Sequence, residues 1–342
     1  MSVTIKDVGK EANVSPSTVS RVIANHPKIS EETKIKVREA MEKLGYHPNL
    51  QARSLVVKTT NIIGIVMPHS AELLLENPFF PEVLRGISLK ARKNKYGLYI
   101  TTAGAEEEIY QEVVQMVQGK RVDGIILLYS KTNDKVMDYL VNVSFPFTVI
   151  GRPYTNSENI TYVDNDNISI TKQITEYLIN LGHQHIAFVG ANNETVFTID
   201  RLEGYKQALK QADIPIDGAL IIHDQKLKEN SKMVFQVLMQ QDMPPTALVV
   251  VDDFVAIQLI SYAEECNISV PNDISIVGFN NIMIAKYIKP SLTSVDINIY
   301  QLGVEAAQCL MEIIKYPDNL PKQITIPAKM IKRKSCCSME RI

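Results

Sequence analysis

The fold of the N-terminal region follows from residues 4–45, which read TIKDVGKEANVSPSTVSRVIANHPKISEETKIKVREAMEKLG. Thr4 and Asp7 have the spacing of a capping box, and apolar residues recur after them at helical intervals, so a helix is predicted over residues 5–12. Another helical pattern over residues 30–45 begins with two glutamates and stops at a glycine, as helix termini commonly do. The region therefore begins and ends with a short helix.

A further helix lies between these two. Ser15 can cap it, and Pro16 suits its first position, where a missing N–H costs no hydrogen bond. Only Asn13, Val14 and Ser15 separate it from the helix before, and asparagine tolerates the left-handed conformation that a tight turn often needs. Two short helices on such a turn form a helix-turn-helix. The apolar faces of all three helices predict a small all-α domain over residues 1–45.

Residues 4–55 resemble the DNA-binding head of the lactose-repressor (LacI/GalR) family of bacterial transcription regulators. The motifs that carry the resemblance are Val14-Ser15, the run from Thr18 to Val22, Gly45-Tyr46, Pro48-Asn49 and Ala52. Gly9 and Asn13 depart from the family, which more often has alanine and glycine at these positions. The resemblance implies a sequence-specific DNA-binding protein.

The resemblance also implies that the start of the second helix enters the major groove of DNA. Pro16, Ser17 and Arg21 occupy the family's base-reading positions, and Arg21 either donates two hydrogen bonds to a guanine or contacts a phosphate. The residues expected to hold the DNA backbone are Ser15, Thr18 and Asn25. The full set of predicted DNA-binding residues is Thr4, Ser15, Pro16, Ser17, Thr18, Ser20, Arg21, Asn25, Asn49, Ala52 and Leu55.

Residues 46–60, YHPNLQARSLVVKTT, are predicted to form a linker with a candidate helix cap at Asn49. The family uses this segment as a hinge helix that orders on DNA and inserts a leucine into the minor groove, and Leu55 matches that leucine. The alternative is that Leu55 packs on its dimer mate. A helix of about eight residues is marginal alone in water, so its order should depend on DNA and a partner.

From Asn61 onward, apolar strands alternate with amphipathic helices, which is typical of parallel sheets with helices on both faces. The predicted strands fall in two sets, at 62–67, 98–103, 124–129 and 147–150, and then at 185–190, 219–223, 247–251 and 274–278. The intervening helices are predicted at 79–95, 106–119, 133–142, 168–181, 198–213, 229–241 and 254–266. The body is therefore α/β, with two doubly wound parallel sheets in tandem.

This pattern resembles the two-lobed, periplasmic-binding-protein-like core that the repressor family carries, in which the chain crosses three times between the lobes. The candidate crossings lie near residues 160, 290 and 320. They predict a first lobe of residues 61–160 with 292–319 and a second lobe of residues 161–291 with 320–332. Residues 333–342 have no core pattern and are expected to be a frayed tail.

Open α/β sheets bind ligands beyond the carboxyl ends of their strands. The residues that follow the predicted strands there are Tyr129-Ser130, Gly151-Arg152, Asn192-Asn193, Asp252-Asp253 and Asn280-Asn281. Hydroxyl, carboxylate, amide and guanidinium groups together suit a neutral polyol, because sugars need paired donors and acceptors around an aromatic face. The sequence therefore predicts a sugar site between the lobes.

The family resemblance adds Arg201, in the segment DRLEGY, near the sugar-binding position, and Asn280, where many members have aspartate. The predicted ligand-binding residues are Tyr129, Ser130, Arg152, Arg201, Asp252 and Asn280. Three of them have structural alternatives, with Arg201 as an ion-pairing helix residue, Asp252 as a helix cap and Arg152 as an interdomain ion pair. The aromatic residues interpreted as core rather than as a sugar platform are Phe79 and Phe80.

Within the family, the segments NPFFPEVLRGI (77–87), GRP (151–153) and GFNN (278–281) are most similar to the maltose-operon repressors of low-GC Gram-positive bacteria. The resemblance implies a homodimeric repressor that binds a pseudo-palindromic operator and responds to maltose or a maltodextrin-type sugar. Two alternatives stay open. One is a carbon-catabolite control protein that responds to a phosphorylated carrier protein, and the other is a sugar-binding receptor or sugar-processing enzyme without a DNA role.

Charge and composition agree with a DNA-binding head on a different body. Residues 1–60 hold ten basic and six acidic residues, a net charge of +4, whereas the other 282 hold 26 and 32, a net charge of −6. The N-terminus has no apolar signal segment and no apolar run approaches membrane-spanning length, so a cytoplasmic, nucleoid-associated protein is expected. The four cysteines are too few for a disulfide framework.

The sequence lacks the common signatures of catalysis, such as a phosphate-binding loop, a dinucleotide fingerprint or a zinc-protease motif. His183 and His185 are interpreted as structural or solvated rather than as metal ligands. Asp252 and Asp253 are adjacent, which does not guarantee that two carboxyls face each other across a glycosidic bond. We therefore expect a non-enzymatic protein without a metal or cofactor.

Overall fold

The computed structural model describes residues 3–46, 59–68 and 77–339. The chain forms two compact units, a head of residues 1–60 and a body of residues 61–342. Most of the predicted hinge, with the proposed DNA contacts at Asn49, Ala52 and Leu55, lies outside the described residues.

The described part of the head contains the three predicted helices, α1 (Ile5–Glu11), α2 (Pro16–Ile23) and α3 (Glu31–Leu44). Asn13, in the turn between α1 and α2, has a φ of 52°, and Gly45, which ends α3, has a φ of 61°. Both backbone conformations are left-handed, so the prediction that asparagine permits the tight turn is confirmed.

The head has a core of its own. Five small or branched side chains, each exposed by 5% or less, form it, namely Val8, Val19, Val22, Val37 and Ala40. Val19 and Val22 lie on one face of α2 and are fully used in this core. The opposite face of α2 is therefore not needed for packing of the head core.

The body contains two six-stranded sheets among its described residues. The first consists of β1 (Ile62–Val66), β2 (Gly97–Ile100), β3 (Gly124–Leu127), β4 (Phe147–Ile150), β5 (Tyr162–Asp164) and β11 (Gln323–Thr325). Its strand order is β11-β5-β4-β3-β1-β2, and all its pairs are parallel. The order follows the doubly wound pattern that the sequence predicts.

The second sheet repeats this plan. It consists of β6 (Ile186–Ala191), β7 (Ile221–His223), β8 (Ala247–Val250), β9 (Ser275–Phe279), β10 (Thr293–Asp296) and β12 (Lys329–Ile331). Its strand order is β12-β10-β9-β8-β6-β7, and only the edge pair β10–β12 is antiparallel. Both sheets have apolar residues on both faces, as buried parallel strands require.

Helices cover each sheet on both sides. The helices of the first lobe are α4 (Phe79–Lys93), α5 (Glu106–Gln118), α6 (Lys135–Asn142) and α11 (Ile299–Lys315), and those of the second lobe are α7 (Asn167–Asn180), α8 (Val196–Gln211), α9 (Asp224–Met239) and α10 (Asp253–Glu265). The pairs α4–α11 and α7–α8 approach closely at glycines. A Cβ on Gly303 would lie 2.2 Å from the Val83 carbonyl oxygen, and a Cβ on Gly204 would lie 2.2 Å from that of Ile168.

The predicted positions of the chain crossings need correction. Residues 293–296 pair with β9 in the second sheet, although the prediction assigned 292–319 to the first lobe. Residues 162–164 (β5) and 323–325 (β11) pair with each other in the first sheet, although the prediction assigned both segments to the second lobe. Strands this short carry little apolar periodicity, so backbone pairing to a distant partner decides which sheet they join.

The C-terminal segment is packed rather than frayed as far as residue 339. The Ser335 side chain is fully buried, and its hydroxyl donates to the Ile276 carbonyl oxygen at 2.6 Å and accepts from the Thr293 backbone N–H at 2.8 Å. The imidazole of His183 lies 3.1 Å from the Cys337 carbonyl oxygen. The expectation of a frayed tail was wrong for these residues because hydrogen bonds, and not an apolar pattern, hold them.

Within the described ranges, none of the helices combines the length and the apolarity that crossing a membrane would require.

Candidate DNA-binding surface and effector cleft

The solvent side of α2 carries the residues predicted to read bases. Pro16, Ser17, Ser20 and Arg21 are all exposed, on the side away from the head core. Arg21 forms no ion pair with any other residue that the structure describes, so its guanidinium is available for an acceptor outside the protein. The role of these exposed side chains in the major groove stays a prediction.

The start of α2 is held by a small hydroxyl network. The Ser15 Oγ accepts from the Thr18 backbone N–H at 3.1 Å and lies 2.8 Å from the Ser17 Oγ and 2.9 Å from the Thr18 Oγ1. At α1, the Asp7 carboxylate accepts from both the backbone N–H and the hydroxyl of Thr4, which lowers the pKa of Asp7. These caps fix the two helix N-termini, where phosphate oxygens can be received.

A cavity of about 380 Å³ lies in the body at the carboxyl edges of the two sheets. Polar residues that follow six strands (β3, β5, β6, β7, β8 and β9) line it, together with the aromatic residues Phe79, Phe80 and Phe197. Of the predicted ligand-binding residues, those that line the cavity are Tyr129, Ser130, Arg201, Asp252 and Asn280. The strand-end rule therefore located the cleft.

Arg201 is the central charged group of the cavity wall. It is 4% exposed, its Nε donates to the Asn167 Oδ1 at 2.9 Å, and one terminal nitrogen donates to the Val251 carbonyl oxygen at 2.5 Å. Its guanidinium also lies over the rings of Phe279 and Phe197, with distances of 3.9 and 4.9 Å to the ring centroids. Burial lowers its pKa to about 10, so it stays charged at neutral pH.

The two adjacent aspartates have different tasks. Asp252 caps α10, since its Oδ1 accepts from the Val255 backbone N–H at 2.8 Å, and it also lines the cavity. Asp253 is fully buried and accepts from the Ser294 hydroxyl at 2.6 Å and the Ile282 backbone N–H at 2.9 Å. Burial raises the pKa of both, that of Asp253 to about 7. Asp252 is thus both cap and cavity residue.

Asn280 and Ser130 line the cavity, and each is held in place by a hydrogen bond to a backbone carbonyl oxygen. Asn280 has a φ of 96°, a conformation that side-chain-bearing residues rarely adopt, and its backbone N–H donates to the Val295 carbonyl oxygen at 2.8 Å. The Ser130 hydroxyl donates to the Arg152 carbonyl oxygen at 2.7 Å. Burial raises the pKa of Tyr129, so its phenol remains a neutral donor.

Arg152 is not among the residues that line the cavity. Its guanidinium forms two hydrogen bonds to the Asp200 carboxylate, at 2.7 and 3.3 Å, and Asp200 belongs to α8 of the other lobe. The interdomain-pair alternative therefore describes its observed contact. Sequence reasoning could not distinguish the two roles, because the partner lies 48 positions away on a different lobe.

The lobes are also joined by backbone hydrogen bonds beside the cavity. The Thr132 N–H donates to the Glu194 carbonyl oxygen at 2.9 Å, and the Val196 N–H donates to the Ser130 carbonyl oxygen at 3.1 Å. Lys131 and Thr195, between these bonds, form an antiparallel bridge and line the cavity. We call residues 130–132 with 194–196 the interlobe bridge.

Several polar residues of the cavity were missed at the sequence level. Asp164, Asn165 and Asn167 follow the three-residue strand β5, which the periodicity did not reveal. Asp224 follows β7, and its carboxylate accepts from the Asn192 side-chain amide at 2.8 Å. That strand was predicted, so the strand-end rule would have found Asp224 had it been applied there.

The His, Cys, Asp and Glu side chains of the described residues form no cluster of three or more suited to a metal ion. His183 instead lies 2.9 Å from the Thr246 hydroxyl, and burial lowers its pKa.

Two family models match the chain. "Bacterial regulatory proteins, lacI family" matches residues 4–49, and "Periplasmic binding protein-like domain" matches residues 175–336. Together with relatives similar over almost their whole length, these matches show that the chain belongs to the lacI family of bacterial regulatory proteins. It is a DNA-binding repressor of this family.

Among the relatives is the HTH-type transcriptional regulator MalR of Streptococcus pneumoniae, 41% identical over 323 residues that span 93% of this chain and 95% of that protein. Catabolite control protein A of Priestia megaterium is 32% identical over 91% of this chain and 92% of its own. A crystal structure of the probable maltose operon transcriptional repressor of Staphylococcus aureus is 28% identical, with a TM-score of 0.73, and covers 81% of this chain and 98% of that one. The two curated relatives are named as regulators and not as enzymes.

Proposed function

We propose that this repressor controls sugar-utilisation genes and that its cleft binds a neutral sugar of the maltose or maltodextrin type. It binds a pseudo-palindromic operator as a homodimer in the cytoplasm, since a two-fold protein matches a two-fold site. The observation that carries the proposal is a cavity of sugar size at the strand ends, lined by amides, hydroxyls and aromatic rings. The names of the similar regulators, MalR and the probable maltose operon repressor, support the maltose class.

The charges of the cavity favour a neutral effector. Its lining includes three carboxylates, those of Asp164, Asp224 and Asp252, and two cations, Lys131 and Arg201. Arg201 already donates to two protein acceptors. A phosphorylated sugar would add close to two negative charges to this excess of carboxylates, at a large cost in a partly buried site. An unphosphorylated sugar meets no such repulsion.

The effector acts by selecting one orientation of the two lobes. Contacts between the lobes, namely the interlobe bridge and the Arg152–Asp200 ion pair, lie beside the cavity, so a bound sugar can alter them directly. A complete switch from 1:99 to 99:1 requires about 5.5 kcal/mol of differential affinity for the two orientations. In our proposal, the sugar lowers the affinity for DNA.

Leu55 is proposed as the wedge that the hinge inserts into the minor groove. It lies outside the described residues and beyond residues 4–49, which the family model matches, and the support is the resemblance of residues 46–60 to the family's hinge. An inserted apolar side chain bends the duplex. The energy spent on unstacking the bases is offset because the bent DNA contacts more of the protein surface. Replacement of Leu55 by alanine should weaken operator binding and leave sugar affinity unchanged. An unchanged operator affinity would refute the proposed wedge.

Carbon-catabolite control is the second candidate, favoured by the 32% identity to catabolite control protein A over almost the full chain. In that case a phosphorylated carrier protein would strengthen DNA binding, and maltose alone would change little.

The test is a titration of a fluorescently labelled operator with the full-length protein, followed by anisotropy at fixed salt. The operator is first selected by the protein from a randomised pool of pseudo-palindromes. Maltose, maltotriose, glucose, glucose 6-phosphate and a phosphorylated carrier protein are then added separately. Salt is held constant because phosphate contacts make the affinity strongly dependent on it.

The proposal predicts tight binding that maltose or maltotriose weakens by roughly ten-fold or more, within the usual range of allosteric coupling. Glucose 6-phosphate should have no effect. Tight operator binding that responds only to the carrier protein would establish the second candidate. Tight operator binding that no addition changes would refute the proposed maltose-type effector but not the proposed operator binding.

A further inference from the structure

One edge of the first sheet combines four exposed basic residues at the place where the chain enters the body. Asn61, the first residue of the body, is fixed there, because its carbonyl oxygen accepts from the Gly97 N–H at 2.8 Å and its N–H donates to the Asp123 carboxylate at 2.7 Å. Gly97 begins β2, and Asp123 precedes β3, the two strands that flank β1. The segments that lead into these strands, from the last residue of α4 onward, carry Lys93, Lys95, Lys120 and Arg121, which we call the basic rim.

The basic rim keeps a net positive charge when the neighbouring acid Asp123 is counted, four cations against one carboxylate. All four side chains are exposed, and none forms an ion pair with another of the residues in the described ranges. The Asp123 carboxylate, the nearby acid in the same loops, accepts from the Asn61 N–H. The body as a whole has a net charge of −6, so the rim is a local reversal of sign.

The equivalent edge of the second sheet has the opposite charge. The loops that lead into β6, β7, β8 and β9 (residues 181–185, 212–220, 240–246 and 266–274) contain no lysine or arginine. They contain four acids, Asp213, Asp217, Asp242 and Asp273. Two edges with the same place in the fold therefore differ in charge, and the positive one receives the chain from the DNA-binding head.

Two rim lysines occupy positions that lysine does not favour. Lys95 and Lys120 follow the caps of α4 and α5 with φ values of 63° and 48°, where the helix-ending hydrogen-bond pattern requires a left-handed residue. Glycine and asparagine adopt that conformation at the least cost. The corresponding left-handed positions after α6, α7, α8 and α10 hold Ser144, Gly182, Asp213 and Asn267. Asp213, which precedes β7 as Lys95 precedes β2, has the opposite charge, so the charge at this position differs between the two lobes.

We propose that the basic rim binds the phosphate backbone of DNA that flanks the operator held by the head. Four exposed cations on one edge suit a polyanion that is held without sequence preference. This contact lies on the body and adds to the base-reading surface of α2. It makes the affinity depend on the length of the duplex beyond the half-sites.

The test compares two duplexes with the full-length protein, the selected operator alone and the same operator extended by about one helical turn on each side. The variant carries Lys93→Gln, Lys95→Asn, Lys120→Asn and Arg121→Gln, with asparagine at the two left-handed positions to preserve the backbone. The control removes the same charge from exposed lysines of the second lobe, through Lys210→Gln, Lys226→Gln, Lys289→Gln and Lys334→Gln. Affinities are measured by anisotropy at several salt concentrations.

The wild type should bind the extended duplex more tightly than the short one, and the rim variant should lose roughly ten-fold of affinity for the extended duplex alone. Its slope of log affinity against log salt should fall by about 1 for each phosphate that the variant no longer neutralises. Thermal unfolding should stay unchanged or improve, because asparagine suits the left-handed positions. Equal affinities of variant and wild type for the extended duplex would overturn the proposal, and so would an equal loss in the control or on both duplexes.

Discussion

The two lobes have the same strand order but contribute different chemistry to the cleft. The second lobe supplies Arg201, Asp252 and Asn280, and hydrogen bonds within that lobe hold each of them. The first lobe supplies the rings of Phe79, Phe80 and Tyr129 to the cavity wall, together with polar residues such as Lys131 and Asp164. Equivalence of fold therefore does not imply an equivalent cavity wall, and more of its polar side chains come from the second lobe.

The largest expected effect tests this asymmetry at Arg201. Replacement by alanine should lower sugar affinity roughly 100-fold or more, because it leaves buried acceptors and a nearby carboxylate without their cation. The free energy of unfolding should fall by about 3 kcal/mol for the same reason. Isothermal titration with maltose and denaturant unfolding measure the two effects, and operator affinity without sugar should stay unchanged.

The matched comparison from the first lobe is Tyr129→Phe, which removes one hydroxyl from the cavity wall. It should lower sugar affinity by only about three- to ten-fold, the value of a single hydrogen bond. A larger loss from Tyr129→Phe than from Arg201→Ala would reverse the assignment of polar recognition to the second lobe.

The next effect tests whether the lobes are equivalent in packing. Gly204→Ala in the second lobe and Gly303→Ala in the first should each lower the free energy of unfolding by about 3 kcal/mol, because each new methyl would lie 2.2 Å from a helix carbonyl oxygen. Gly218→Ala is the control, since no atom lies within 4 Å of its added methyl, and it should change stability by less than about 0.5 kcal/mol. Denaturant unfolding at one pH measures all three. Clearly unequal costs at Gly204 and Gly303 would show that the two helix pairs differ in rigidity.

The smallest effect concerns pH and Asp134 of the first lobe. Burial raises its pKa to about 6, and its Oδ2 has no hydrogen-bond partner among the described residues. A raised pKa means that the stabilisation is present below about pH 4 and is lost as the pH rises through about 6. Asp134→Asn should remove this loss and gain about 1 to 2 kcal/mol at pH 7 relative to its effect at pH 4.

Unfolding curves of wild type and Asp134→Asn between pH 4 and 8 test this expectation. Both proteins should keep a further decline from two other aspartates, Asp164 with a pKa raised to about 6 and Asp253 with a pKa raised to about 7. Parallel curves for the two proteins over this range would contradict the assignment to Asp134.

Local patterns were enough to predict the head and the position of the cleft. Capping residues and turn chemistry act over three or four positions, so the boundaries of α1, α2 and α3 could be derived from the sequence. The rule of strand carboxyl ends led to Tyr129 and Asp252 at the cavity wall because it depends only on strand order along the chain.

Contacts between distant segments could not be predicted in the same way. The pairing of Arg152 with Asp200 depends on how one lobe faces the other, and a single arginine after a strand fits either a ligand or a protein partner. The sheet membership of β10 and β11 depends on backbone pairing of three or four residues. The buried tail around Ser335 depends on hydroxyl hydrogen bonds that leave no apolar pattern.

The late return of the chain to both sheets has a consequence for biosynthesis. The edge strands β11 and β12 end at Thr325 and Ile331, and each completes a different sheet. Neither lobe can acquire its full set of strands until residues 323–331 have left the ribosome. A truncation before Gln323 would therefore damage both lobes together, while the N-terminal head, with its own core, could fold long before.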